Sequence, residues 1–250
     1  MRITGHGVLH FLLRYLQNFC VFALMFTLTG FAQAGTYYTL DMEGASISGG
    51  RLNEDGHRFR LRTEGGGTTP KLTTGLLVLH TDASPPGATR DRAELQITSA
   101  IEFDRMWFLG MRVMQPFEDP IAPGQWHLFM QCPQWGATTP PPLSLNMEPG
   151  GLFSLVARSD VDRYERLWVG PMPVGRWLDL VIGFRMGERG HVRLWVNGTK
   201  VADVRTVLRW KAGQDRCTLK TGVYRAPGNA PFEMWFDDIR LGDTYNDVAP

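Results

Sequence analysis

The sequence predicts an all-β protein, one antiparallel sandwich of two sheets, from three observations. Short apolar runs recur about every 10 to 18 residues from residue 36 onward. Turn-forming residues separate them, and the 28 glycines and 16 prolines make up about 18% of the 250 residues, against roughly 12% in average chains. Beyond the first 34 residues, no window of about a dozen carries an apolar stripe at the helical period. A chain that is 43% hydrophobic and 20% charged is not disordered and has enough apolar surface for a sizeable core. With 26 Lys+Arg against 25 Asp+Glu, the net charge of +1 gives no support to a nucleic-acid binder working through bulk electrostatics.

Residues 1–34 read as a secretory signal peptide. Arg2 and Arg14 give a basic start, Phe19 to Phe31 is an apolar run, and Ala32-Gln33-Ala34 is a small-x-small cleavage site. The run is short for a membrane-spanning helix, which needs about 20 residues. Residues 35–250 are then a single domain, secreted or periplasmic, with no membrane attachment after cleavage. Removing Arg2 and Arg14 turns the net charge to −1, and removing Cys20 leaves Cys132 and Cys217. An oxidising compartment permits one bridge between these two, and a pair of buried thiols is the alternative.

The predicted strands follow in order. Thr36–Met42 opens with Tyr37 and Tyr38, and His57–Arg62 alternates Phe59 and Leu61 against Arg58, Arg60 and Arg62. Gly75–His80 is a continuous apolar run, Arg92–Thr98 alternates, and Trp107–Met114 and Trp126–Gln131 are aromatic-rich. Leu143–Met147, Leu152–Ala157, Trp177–Phe184, Val192–Val196, Thr218–Tyr224 and Glu233–Leu241 complete the set. Between them lie Pro85-Pro86-Gly87, Pro149-Gly150-Gly151 and Asn197-Gly198, the last a strong two-residue hairpin signal. So many short strands without intervening helices fit a β-jelly roll.

Strand parity then groups polar residues. Arg92 and Glu94 share one face of their strand, with Ala93 and Leu95 on the other. Gln125 and His127 share a face that Trp126 opposes, and Lys220, Gly222 and Tyr224 align against Val223. If those polar sides meet, they form a groove suited to an acidic sugar. Arg and Lys pair with the carboxylate, an amide stabilises charge developing on it, and His or Tyr moves protons. Glu94 is placed to hold the Arg92 guanidinium, and Gly222 to leave room for a sugar ring.

Arg92-Ala93-Glu94-Leu95, then Gln125-x-His127, then Lys220-x-Gly222-x-Tyr224, in that order along a β-rich chain, resembles the jelly-roll polysaccharide lyases, whose fold is concanavalin A-like. The resemblance spans about Arg90 to Gly242. It leans towards heparin lyase I and glucuronan lyases, because Tyr224-Arg225 ends the last motif in their manner. Cys217-Thr218-Leu219-Lys220 departs from the alginate lyase pattern.

The resemblance implies β-elimination across C4–O4 of a uronic acid, with Arg92, Gln125, His127 and Tyr224 as catalytic residues. Glu94, Lys220, Arg225 and His80 are the substrate-binding candidates. Where H5 and O4 lie on one ring face, as in glucuronate or mannuronate, one group can serve as base and acid. Where they lie on opposite faces, as in iduronate or guluronate, His127 as base with Tyr224 as acid fits. The expected partner is an acidic polysaccharide, glucuronan-like first, with heparin or heparan and alginate as alternatives, acted on by a monomer. No cofactor is needed, although Asp237, Asp238 and Asp243 are candidates for a structural Ca²⁺.

Other features fit other readings. The eight tryptophans are compatible with a carbohydrate-binding module lacking catalysis. Glu102-Phe103-Asp104-Arg105-Met106-Trp107 has Trp where sandwich glycoside hydrolases need a second catalytic carboxylate, which argues against hydrolysis.

Overall fold

In a computed structural model, the described residues run from Gly35 to Pro250, except 119–120, 123, 137–139, 161–162, 210–214, 229 and the side chain of Ser99. The signal-peptide reading of residues 1–34 lies outside them. Seventeen strands are described: β1 (Thr36–Leu40), β2 (Ser46–Ser48), β3 (Arg51–Glu54), β4 (His57–Glu64), β5 (Lys71–Thr73), β6 (Leu76–Thr81), β7 (Asp91–Glu102), β8 (Trp107–Met114) and β9 (His127–Gln131) come first. They continue with β10 (Leu143–Glu148), β11 (Leu152–Arg158), β12 (Tyr164–Pro171), β13 (Leu178–Arg185), β14 (His191–Val196), β15 (Thr199–Arg205), β16 (Arg216–Arg225) and β17 (Phe232–Gly242).

Every strand pairing among them is antiparallel, in two sheets. One runs β15-β14-β13-β8-β17-β6-β5, with β1 added on β17. The other, nine-stranded, runs β12-β11-β10-β9-β16-β7-β4-β3-β2. Alternation along the strands turns apolar side chains between the sheets. Phe59 and Leu61 of β4, Ala93 and Leu95 of β7, and Phe129, Phe153, Phe184 and Phe236 all join one buried cluster. Asn197 and Gly198 make the predicted hairpin, with φ of 49° and 75° and Val196 paired to Thr199. Such a turn needs positive φ at both central residues, which Asn and Gly tolerate.

All twelve predicted runs are strands. The five strands without a sequence signal are β2, β3 and β5, which are three or four residues long, and β12 and β15, which are largely exposed and lie at sheet edges. One four-residue helix, α1 (Tyr245–Val248), closes the chain in a capping box made by Thr244 and Asp247.

Cys132 and Cys217 form a disulfide with Cα atoms 5.5 Å apart, so the bridge rather than the thiol pair is present. It joins the residue after β9 to the second residue of β16 within the nine-stranded sheet. Both strands carry groove residues.

Candidate active site

The nine-stranded sheet turns a polar row outward on the face away from the core. That face bounds a cavity of about 550 Å³. Among the described residues five cations line it: Arg62 of β4, Arg90 just before β7, Arg92 near its start, Arg158 of β11 and Lys220 of β16. Tyr224, Gln131, Ser144 and Asn146 add hydrogen-bonding groups, and Trp126, Leu128, Pro133, Pro140 and Pro141 supply apolar wall. No carboxylate is among these lining residues.

The Arg92-Glu94 parity places both side chains as expected. Arg92 Nε lies 3.0 Å from Glu94 Oε2 and its Nη1 3.6 Å from Glu64 Oε2. Gln131 Nε2 donates to the other Glu94 oxygen. Glu94 is 2% exposed, and burial pushes its carboxyl up, while Lys220, Arg92 and the Gln131 hydrogen bond pull it back down. Glu94 is therefore a buttress beneath the groove: it fixes Arg92 and Gln131 while they face the cavity.

Tyr224 stands between two partners. The Arg92 guanidinium carbon lies 4.6 Å from its ring centroid, and the Trp126 ring is tilted against it at 4.7 Å. Arg90 is held above its ordinary value by its 2.8 Å hydrogen bond to Glu64, against a smaller desolvation, and further by the Tyr224 oxygen. Lys220, in the same groove-facing row of β16, is lowered to about 8. Burial is the main cause; Glu94 opposes it, while Arg92, Arg62 and Arg60 reinforce it.

Four expected site residues lie elsewhere. Gln125 is exposed, with its amide donating to the Pro227 carbonyl at 3.0 Å and accepting from the Ala122 N–H. His127 is 2% exposed and sits edge-on against Phe232 of the opposite sheet, with ring centroids 4.3 Å apart. The parity of Gln125-Trp126-His127 holds, but Trp126 takes the groove and His127 the interior. Arg225 is buried against Asp91 at 3.3 Å and donates to the Asp82 and Ala230 carbonyls, tying down the end of β16. His80 lies in the other sheet, 3.0 Å from Asp82 and 3.3 Å from Glu233.

Gly222 also has a different use. A Cβ there would run into the Ala93 carbonyl oxygen and meet Leu79 Cδ1 at 2.8 Å, at a φ of 139°. Glycine is needed for close packing on β7, not for a sugar.

The groove amide is Gln131, and a bulge explains why. On β10, Leu145 pairs with Met130 but Asn146 pairs with Leu128, so Phe129 is an extra residue on β9. Phe129 and Met130 both turn into the core. Past them the parity is inverted, so Leu128 and Gln131, three apart, share the groove face. The polar end of an otherwise apolar strand was the available signal for Gln131. Arg90 and Arg158 lie at strand ends and had none.

Asp237, Asp238 and Asp243 do not converge. Each faces its own arginine, Arg112, Arg240 and Arg105 respectively. Among the described residues no group of three or more His, Cys, Asp or Glu is placed to hold a metal ion.

The structure thus combines a two-sheet sandwich, a cation-lined groove, an arginine buttressed by a buried glutamate, and a tyrosine between that arginine and a tryptophan. The chain belongs to the family described as polysaccharide lyase, which matches residues 64–240, and is a polysaccharide lyase. No curated protein matches its sequence. Among solved structures it is similar to the endo-β-1,4-glucuronan lyase of the fungus Trichoderma reesei, at 14% identity and a TM-score of 0.55, over 89% of this chain and 95% of that one. It is also similar to the alginate lyase AlyC3 in complex with dimannuronate, at 15% identity and 0.51, over 67% and 74%. Botulinum neurotoxin type C, whose cell entry depends on two ganglioside molecules, matches at 11% and 0.54, over 84% of this chain and 48% of that one. At such identities these likenesses show the two-sheet fold.

Proposed function

We propose that the protein is an exported uronan lyase that cleaves a glucuronan-like polymer by β-elimination at Tyr224. The observation that carries this reading is the placement of Tyr224 between Arg92 and Trp126, with Lys220 and Gln131 in the same groove. A uronate C5–H is weakly acidic because the neighbouring carboxylate resists further negative charge. Arg92 and Lys220 neutralise that carboxylate and Gln131 hydrogen-bonds it, so that charge developing in the transition state is stabilised. Tyr224, beside Arg90 and Arg92, acts as the base and takes the C5 proton. The C–H electron pair forms the C4–C5 double bond, the C4–O4 bond breaks, and Tyr224 returns its proton to O4. Trp126 offers a flat apolar face to a sugar ring. The glucuronan lyase among the structural neighbours supports the choice of polymer.

The groove's five cations favour a second reading, a sulfated uronan such as heparin. Assaying glucuronan, alginate and heparin for ultraviolet-absorbing unsaturated ends separates the two. On the best substrate, Tyr224→Phe is expected to lower kcat by at least about a hundredfold, within the range for lost general acid–base catalysis, with polymer binding retained. A Tyr224→Phe variant with most of its activity would overturn the mechanism. Amino-terminal sequencing of the exported protein is expected to start at Gly35, and an intact Met1 would refute cleavage.

A further inference from the structure

The cations of the nine-stranded sheet continue past Arg62, beyond the cavity. β4 carries Arg58, Arg60 and Arg62 at every second position, while Phe59 and Leu61 between them enter the core. The three arginines therefore share the outer face, roughly 6.5–7 Å apart along the strand, and Arg62 reaches the cavity. On β3, Leu52 is buried, so Arg51 turns to that same face, directly opposite Arg60. Like charges directly opposite on neighbouring strands are destabilising. Among the described residues none of these four arginines has a carboxylate within ion-pair distance, whereas Arg90, Arg92, Arg105, Arg112, Arg166 and Arg225 each do. The sheet thus holds a mutually repelling set of charges on an exposed face, an arrangement that an anion relieves.

This arm is in register with the groove. Cα pairing runs from Arg51 to Arg60, to Gln96 of β7, to Lys220 of β16 and to Gln131 of β9. Arg51 stands three strands from Lys220, about 14 Å at roughly 4.8 Å per strand. Lys220 is lowered by burial first and then, against Glu94, by Arg92, Arg62 and Arg60, so the field of the arm reaches the groove. At the other end of the sheet, Arg166 of β12 is held by Glu148 at 3.0 Å. Unpaired positive charge therefore gathers on the β3–β4 side.

We propose that Arg51, Arg58 and Arg60 form a second anion-binding site, outside the catalytic cavity, which holds flanking sugars of an acidic polysaccharide through their carboxylates or sulfates. The inference rests on the uronan lyase reading above and extends it to sugars away from the bond that breaks. A chain crossing the strands along the paired row presents its successive anionic groups to Arg60 and then to Arg51. Each such surface contact is weak alone and screened by salt. The arm therefore acts through several contacts together, and on chains long enough to reach it. It contributes to KM and not to the bond-breaking step.

The test measures binding of polyglucuronate and of its trimer by calorimetry at about 0.05 M salt. The Tyr224→Phe background keeps the chain intact. Arg51→Gln/Arg58→Gln, checked for unchanged melting, is expected to raise the polymer's Kd about five- to tenfold and the trimer's less than about twofold. Arg176→Gln/Arg205→Gln removes the same charge from exposed positions outside this sheet and is expected to leave both unchanged. The same comparison on heparin separates the two sources, since the polymer with the larger rise in Kd carries the anions that the arm reads. Unchanged Kd on both polymers, an equal rise in the control pair, or no binding of either polymer overturns the second site. If the polymers bind through the arm but the enzyme with Tyr224 intact cleaves neither, the uronan lyase reading fails and the site stands.

Discussion

Lys220 is a groove group whose charge changes near neutral pH. Its ordinary value of 10.5 falls to about 8 because it is buried beside Arg92, Arg62 and Arg60, with only Glu94 pulling the other way. Below that value the ammonium is present and helps neutralise the substrate carboxylate; above it the groove loses one positive charge. We therefore expect kcat/KM to fall as pH rises through about 8, and Lys220→Arg, which stays protonated, to remove that alkaline limb. A pH–rate profile with an unchanged limb in Lys220→Arg would assign it to another group. Arg92, Glu94, Lys220 and Tyr224 were legible in the sequence because each sits in a stretch of strand where alternation between core and groove persists. Gln125 and His127 misled because a Gln-x-His pattern fixes which residues share a face but not which face looks outward. The apolar pull of Phe232 on the His127 ring, and of the groove on Trp126, settles that, and both are contacts between distant parts of the chain.

At the scale of elements, the site depends on how β9 lies against β16. Lys220 pairs with Gln131 and Tyr224 with Leu128, so between these two pairs β16 spends three residues where β9 spends two. Turn signals and alternation predicted twelve strands correctly, yet a bulge leaves no mark in an apolar stretch such as Leu128-Phe129-Met130. The short and edge strands escaped for a related reason, since their stability comes from a neighbour's hydrogen bonds rather than from their own pattern. The disulfide closes a separation of 85 residues directly beside Gln131 and Pro133. In the chain-entropy account a loop of that length contributes about 4–5 kcal/mol by restricting the unfolded chain. A Cys132→Ala/Cys217→Ala variant is therefore expected to melt well below the wild type. Because the same bridge fixes the start of β16 against the end of β9, its kcat at a temperature where both are folded is also expected to drop. A variant with the wild-type melting temperature and kcat would show that pairing of the two strands alone suffices.

At the scale of the whole molecule, net charge proved a poor guide to the groove. Residues 35–250 sum to −1, yet the five groove cations face outward together with no carboxylate in the lining among the described residues. The acids are spent elsewhere: Asp203 on His191 and Lys200, Asp243 on Arg105, and Asp179 and Asp237 on Arg112. The groove crosses six adjacent strands from β4 to β11, about 24 Å at roughly 4.8 Å per strand, which is room for several sugars. Arg62 and Arg158 stand at its two ends, so a long polymer meets charges that a short oligomer filling only the centre does not. Screening acts most on such outlying contacts, with a Debye length of about 10 Å at 0.1 M salt and about 3 Å at 1 M. Arg92, which is 7% exposed and bound to Glu94, is screened less. The expected outcome is a KM for polymer that rises about tenfold between 0.05 and 0.5 M salt, a weaker rise for a trimer, and a kcat that barely moves for either. Arg158→Gln is expected to reduce the polymer's salt dependence while leaving the trimer's unchanged. Equal salt dependence for polymer and trimer in the wild type would confine binding to the centre of the groove around Arg92, Lys220 and Tyr224.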